Sequence, residues 1–269
     1  MPPVVLLTDF GTMDPYAGQL RGALATLAPG APILDLTHGV APHNVVQAGF
    51  FLSSSLGHFP AGSVFLAVVD PGVGTDRRIV LARFGSRFVL APDNGLLGLA
   101  LFRRPDAACW DCSRAVARLL DATPVSATFH GRDVFVPLAA RLLAGEPPEA
   151  LGVPVPADSL VPAPMPDPAP FGAFDPDGQQ HTRVLHVDRF GNAVLGLLDH
   201  PVPAPGRPVV LVAPRRARLT CVTTYADIEP GEAGLLPGSQ GFLEVAANRA
   251  SAAALLGLAS GMDVTLALA

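Results

Sequence analysis

Asp70 closes an apolar run and is followed within eight residues by two glycines and two arginines, in Asp70-Pro71-Gly72-Val73-Gly74-Thr75-Asp76-Arg77-Arg78. A carboxylate at the end of a buried strand, with guanidinium groups close behind, can be held by a two-pronged ion pair and can accept a hydrogen bond or a proton from a ligand. The glycines let the backbone turn sharply and approach a ligand closely. The run is not a dinucleotide-binding fingerprint, because Arg77 stands where the third glycine belongs and no helix follows. By itself it equally describes a tight strand-to-strand turn with an ion pair.

Leu7-Thr8-Asp9-Phe10-Gly11-Thr12-Met13-Asp14 repeats the pattern at the end of the first apolar run. Asp9, beside Gly11, suits a ribose diol. Asp14 has a simpler reading as the N-cap of the helix that follows. His130, in Thr128-Phe129-His130-Gly131-Arg132-Asp133, precedes a helical pattern; alone it reads as a capping or core histidine. Asp188-Arg189-Phe190-Gly191-Asn192 lies between two short strands and by itself reads as a hairpin turn, its Gly and Asn supplying positive φ. Cys109-Trp110-Asp111-Cys112 has redox spacing, or that of half a zinc site. Zinc needs two further ligands, and only Cys221 remains among the cysteines. Two small, semi-buried side chains are the simpler reading.

All 18 basic residues are arginine. The absence of lysine removes P-loop phosphate binding, Schiff-base chemistry and a lysine general base. A net charge of −5 without a basic cluster argues against nucleic acid. Residues 36–69 carry no Asp, Glu or Arg, but prolines, Asn44, Gln47 and three histidines break the stretch, so no membrane span is expected. No signal peptide is expected either, since Asp9 interrupts the short N-terminal apolar run. Three cysteines fit a reducing compartment, which points to the cytoplasm.

These groups need a scaffold that brings distant strand ends together. Strands are predicted at 4–8, 33–36, 64–69, 79–84 and 88–91, the last two paired, with helices at 14–27, 44–56 and 131–143. Such alternation implies an α/β domain over residues 1–153, a mostly parallel sheet flanked by helices, with ligands beyond the carboxyl ends of its strands. Eight prolines between positions 154 and 176 predict an extended connector over 154–180. Short strands at 183–187, 193–197, 209–212, 241–245 and 263–267, with one helix at 249–258, predict a smaller β-rich domain over 181–269. That domain is a barrel or a sandwich.

Taken together, residues 7–22, 68–78, 91–97, 128–136, 186–194, 224–227 and 239–248 resemble the S-adenosyl-L-methionine hydroxide adenosyltransferase family, relatives of the fluorinase and chlorinase. The resemblance spans both domains and leaves out mainly the Pro-rich connector. It implies a larger α/β domain, a smaller β-barrel domain, and a homotrimer with the substrate between the large domain of one subunit and the small domain of its neighbour. It places the Asp–Arg–His set of the hydroxide-using branch on Asp70, Arg77 and His130, and the ribose-binding Asp on Asp9. Contacts to the amino-acid end fall on Asp14, Asp188 and Ser239. Adenine contacts fall on Phe190, Asn192 and Tyr225, with Asn248 and Arg249 nearby. The chain departs from the fluorinase at Asp70, where that enzyme has an aromatic residue, at Gly131 in place of its halide-binding Ser, and at Gln240 in place of an Arg.

The implied reaction is attack of water or hydroxide on ribose C5′ of S-adenosyl-L-methionine, releasing adenosine and L-methionine with no cofactor or metal. Asp70, Arg77 and His130 must then converge to within about 8 Å. A halide-using transferase would keep the fold, but Asp70 would repel the halide. A non-catalytic S-adenosyl-L-methionine or adenosine binder would keep Asp9, Phe190 and Asn192 without needing the Asp–Arg–His set.

Overall fold

The computed structural model describes residues 1–122 and 126–269, and of residues 119–122 the backbone only. The chain divides into two compact units, Met1–Pro164 and Met165–Ala269.

In the first unit β1 (Val4–Thr8) leads through α1 (Tyr16–Leu27) to β2 (Ile33–Thr37), and α2 (Val45–Ser55) leads to β3 (Val64–Val68). Then come β4 (Ile79–Phe84), β5 (Arg87–Pro92), α3 (Gly98–Arg103), β6 (Ala108–Asp111), α4 (Ser113–Ala122), α5 (Val136–Leu143), α6 (Pro148–Leu151) and β7 (Val153–Val155). Seven strands form one sheet in the order β2-β1-β3-β5-β4-β6-β7. Its β2-β1-β3-β5 half is parallel, and it turns antiparallel where β5 meets β4. Uninterrupted apolar runs such as β1 suit strands covered on both faces. Val4 and Leu6 join the core with α1 and α5, and Val5 and Leu7 the core with α2 and α3. β1 and β3 run in register, Thr8 beside Val68, so their carboxyl ends are neighbours and Asp9 and Asp70 emerge from one sheet edge.

Two helix starts differ from expectation. Pro15, not Asp14, is the N-cap of α1, and no side chain caps it, because the fixed φ of proline starts the helix directly. The predicted 131–143 helix opens with a π-helical turn, Gly131–Phe135, before α5. The predicted connector is also divided. Val153–Val155 pairs with β6 as β7, and Leu160 enters the first unit's core. Arg78 donates to the main-chain oxygen of Ser159 and pairs with Asp93, which accepts from Val161 N–H at 2.8 Å. Gly95 and Gly98 admit the chain, since a Cβ there would lie 2.4 Å from Pro162 O and 2.5 Å from Ala163 N.

The rest of the connector belongs to the second unit, where β8 (Ala169–Pro170) pairs with β10 and Phe171 enters the core. This unit contains β9 (Gln179–Val187), β10 (Ala193–Leu198), β11 (Pro208–Ala213), β12 (Ala217–Cys221), β13 (Ala233–Pro237), β14 (Phe242–Ala247), α7 (Ala252–Leu256) and β15 (Asp263–Leu268). The order β14-β13-β12-β11-β15-β9-β10 returns on itself through a β10–β14 pairing. The ring of seven strands is closed: the unit is a barrel, not a sandwich.

Candidate active site

The turn after β3 places Asp70 where the sequence pattern pointed, and β4 begins just beyond Arg77. Arg77 Nε donates to both carboxylate oxygens of Asp70 at 2.7 Å, and its terminal nitrogen donates to the second oxygen as well. Both side chains are almost wholly buried, Asp70 at 5% and Arg77 at 9% exposed. Gly72 N–H donates to the same carboxylate at 3.2 Å, so the turn wraps its own ion pair. The same terminal nitrogen of Arg77 also lies 3.2 Å from His130 Nδ1. A guanidinium can only donate, so Nδ1 must be the acceptor, and a neutral ring then carries its proton on Nε2. Burial, then the charge of Arg77, lowers the His130 pKa from its ordinary 6.5, which keeps the ring neutral near pH 7. Asp70, Arg77 and His130, 60 positions apart at the extremes, form one contiguous chain.

His130 stands at the N-terminus of the π-helical turn, where the closed-up backbone is packed against aromatic rings. A Cβ at Gly131 would lie 3.3 Å from the Phe10 ring and 3.4 Å from that of Phe129. Phe10, Tyr16 and Phe129 form a mutually edge-on or tilted trio with centroids 5.4–6.0 Å apart. Arg132 pairs with Asp133 at 2.6 Å and lies over Phe129, while Asp133 accepts from Ser126 N–H, fixing the loop before His130.

These groups border a cavity of about 320 Å³ lined by Asp9, Phe10, Asp14, Asp70, Phe129 and His130, among others. His43 lines it too. Its φ of 64° is a left-handed backbone that only a minority of non-glycine residues adopt, and its N–H donates to Asp9 Oδ2 at 2.9 Å. Asp14, relieved of the capping role expected for it, is exposed at the cavity rim. Sequence reasoning missed His43; the Pro42-His43-Asn44 turn signal marked a loop but not its inward main chain.

The second unit carries its own cavity, about 750 Å³, lined by Asp188, Phe190, Asn192, Tyr225, Ser239 and Arg249, together with Ala247, Ala250 and Ser251. The Asp188–Asn192 segment is a hairpin turn between β9 and β10, although of the two residues expected at positive φ only Gly191 takes it. Asp188 accepts from the main-chain N–H groups of Phe190 and Asn192 and from the Asn192 side chain, at 2.8–2.9 Å. Gly191 takes a φ of 85°, and a Cβ there would lie 2.1 Å from Ser251 Oγ. The turn thrusts Phe190 outward to 77% exposure, with Tyr225 also exposed. Tyr225 is anchored through its hydroxyl, which donates to Glu244 Oε1. Glu244 is a buried acid on β14 whose pKa is raised by burial and, more weakly, by Asp188. It escaped the sequence reading because it sits inside an apolar strand pattern. Asn248 does not line the cavity; its side chain donates to Ile228 O at 2.8 Å and ties down the strand end beside Arg249.

The C-x-x-C pair is structural. Cys109 faces one core of the first sheet and Cys112 the other, so the thiols cannot meet. Burial pushes them up to about 11 and about 12. Among the described residues, no three His, Cys, Asp or Glu side chains cluster to hold a metal ion.

A model described as the SAM hydroxide adenosyltransferase N-terminal domain matches residues 4–152, and its C-terminal counterpart matches residues 182–265. The chain belongs to the SAM hydroxide adenosyltransferase family. It is 42% identical to an (R)-S-adenosyl-L-methionine hydrolase from Thermus thermophilus, over 99% of this chain and all of that one. A fluorinase from Actinoplanes sp. is more distant, 25% identical over 98% of this chain and 97% of its own. A crystal structure of an uncharacterized conserved protein from Thermotoga maritima superposes with a TM-score of 0.85 at 29% identity, covering 98% of this chain and 99% of the other. Both matched segments of the SAM hydroxide adenosyltransferase fold carry candidate site residues: Asp9, Asp14, Asp70, Arg77 and His130 in the first, and Asp188, Phe190, Asn192, Tyr225, Ser239, Asn248 and Arg249 in the second.

Proposed function

We propose that the chain is an S-adenosyl-L-methionine hydrolase, cleaving its substrate to adenosine and L-methionine by attack of water on ribose C5′. The observation that carries this reading is the buried Asp70 carboxylate on the cavity wall, held by Arg77 and placed beside His130. The water oxygen forms a bond to C5′ as the C5′–S bond breaks. The sulfonium leaves as a neutral thioether with the electron pair, and the water proton passes through Asp70 to solvent. Asp70 is the acceptor that orients the water. Neutral His130, with its proton on Nε2, is a donor, so it fixes the water's lone pair instead of removing its proton. Holding water in line is worth up to roughly 7–11 kcal/mol in well-oriented systems.

Asp9 takes the ribose diol, Phe190, Asn192 and Tyr225 the adenine, with Arg249 beside them, and Asp14, Asp188 and Ser239 the methionine end. Those contacts are split between a cavity of the first unit and a cavity of the second. With the resemblance to the family, the reading includes a homotrimer in which each substrate lies between the first unit of one subunit and the second unit of its neighbour. A cytoplasmic site and independence from any cofactor complete it. A halide nucleophile is disfavoured by Asp70, which would repel it in a buried pocket. The test is incubation with (R)-S-adenosyl-L-methionine in ¹⁸O-water containing chloride. Labelled 5′-oxygen in adenosine, with no 5′-chloro product, is the expected result. No turnover with retained adenosine binding would instead favour the non-catalytic binder.

A further inference from the structure

Thr8, His38 and Asp35 lie behind the Asp9 turn and outside the cavity. Thr8 Oγ1 is 2.7 Å from His38 Nδ1, and His38 Nε2 is 3.1 Å from Asp35 Oδ1. Arg21 pairs with Asp35 and closes the outer end. The direction of each bond follows from the chemistry. Asp35, facing Arg21, accepts only, so His38 carries its proton on Nε2; Nδ1 is then a bare lone pair and must accept from the Thr8 hydroxyl. The Thr8 oxygen in turn accepts from Phe10 N–H at 3.2 Å. Main-chain bonds clasp the same turn from the His38 side. Gly11 N–H donates to His38 O at 2.8 Å, Val40 N–H to Thr8 O at 3.4 Å, and His43 N–H to the Asp9 carboxylate itself.

The order hydroxyl, imidazole, carboxylate resembles that of a hydrolytic nucleophile, but Thr8 is fully buried and none of the three lines the cavity. A valine would fill the place of Thr8 without any polar demand, so the hydroxyl has to be explained by what it holds. We infer that Thr8, His38 and Asp35 are positioning residues that set the turn from Asp9 to Gly11, and through it the angle at which the Asp9 carboxylate meets the substrate. The inference rests on Asp9 being a substrate contact, as proposed above. The segment running from His38 to His43 is the lever: the relay fixes its near end to Thr8, and His43 fixes its far end to Asp9.

The test compares Thr8→Val, which keeps the shape and deletes the hydroxyl, with Thr8→Ser, which keeps the hydroxyl. Both are measured for kcat, KM and melting temperature on the full chain. Thr8→Val is expected to lower kcat/KM by about 10- to 100-fold, the scale of an ångström-level misplacement. Thr8→Ser is expected to restore most of that loss even if its melting temperature falls as far. Unchanged kcat/KM in Thr8→Val, or losses in both variants that track melting temperature alone, would overturn the inference. If Thr8→Val fails to fold, His38→Asn, whose amide oxygen can take the place of Nδ1, is compared with His38→Leu; equal losses in the two overturn it. Failure of the underlying reading is separate, since the wild-type chain would then produce no adenosine at all.

Discussion

The two candidate cavities are built on opposite principles. In the first unit Asp70, Arg77 and His130 are buried and bonded in a chain, Asp70 and Arg77 beside strand ends of one sheet and His130 at the start of the π-helical turn. In the second, Phe190 and Tyr225 stand exposed on turns, each held from behind by an acid, Asp188 under the Phe190 turn and Glu244 under the Tyr225 hydroxyl. A reacting water needs fixed partners in a shielded place, because hydrogen bonds and charges act most strongly there. A flat adenine needs area, which rigid aromatic rings supply with little conformational cost.

Substitutions on the two sides should therefore fail in different ways. The largest effect is expected for Asp70→Ala, a loss of turnover on the order of 10²–10⁴ with adenosine binding preserved, read by single-turnover kinetics and calorimetry. Equal loss of both would move Asp70 into ground-state recognition and erase the contrast. Arg77→Met leaves a buried carboxylate without its partner and should cost about 3–5 kcal/mol of stability by denaturant unfolding. Phe190→Ala on the exposed side should stay within about 0.5 kcal/mol of wild type in the same experiment. Its kinetic effect is a rise in KM of roughly 2- to 12-fold at nearly constant kcat, the worth of one aromatic contact.

A smaller effect comes from His130. Its folded pKa lies below the 6.5 of the unfolded chain, so below that pH the unfolded state binds more protons. Stability is full above about pH 6.5 and falls as the pH drops through the folded value. Unfolding curves at pH 7.5 and pH 5 should show a larger drop for wild type than for His130→Asn. The smallest effect is expected at Cys109 and Cys112, whose raised thiol pKa values predict no labelling by a thiol reagent in the native state and full labelling once unfolded.

Elements whose apolar period was strong were legible. β1, β3, β10 and β15 lie where continuous or alternating apolar runs predicted them, and the glycine-containing turns after β3 and β9 are turns. Others were hidden by composition. β12 reads Ala-Arg-Leu-Thr-Cys, with one β-branched residue and an exposed Arg218, and β13 begins Ala-Gly and ends in Pro, so neither has a run of strand formers. α3 opens on glycine, a poor helix former that stands there because a Cβ would meet Ala163, a tertiary demand. The same holds for the site. Carboxylates at strand ends were visible as motifs, but the π-helical turn at Gly131 and the left-handed His43 depend on what packs against them. Glu244 gave no signal inside the predicted 241–245 strand, yet it is the anchor of Tyr225. Arg77 and Arg78 illustrate the limit most simply: adjacent and chemically identical, one holds the site and the other holds the chain segment at Ser159.

The pairing of β10 with β14 gives each of the seven ring strands a neighbour on both sides, with the two-residue β8 as an extra strand on β10. The first unit's sheet is open by contrast, ending at β2, where Leu34 is exposed, and at β7, where Val153 is. A further strand has free main-chain groups to meet at β2 and β7 but none within the ring of seven. Contacts made by the barrel ring must be read side chain by side chain, which lets single substitutions retune them without disturbing backbone pairing. The barrel surface is thus freer to vary than the sheet that carries Asp70.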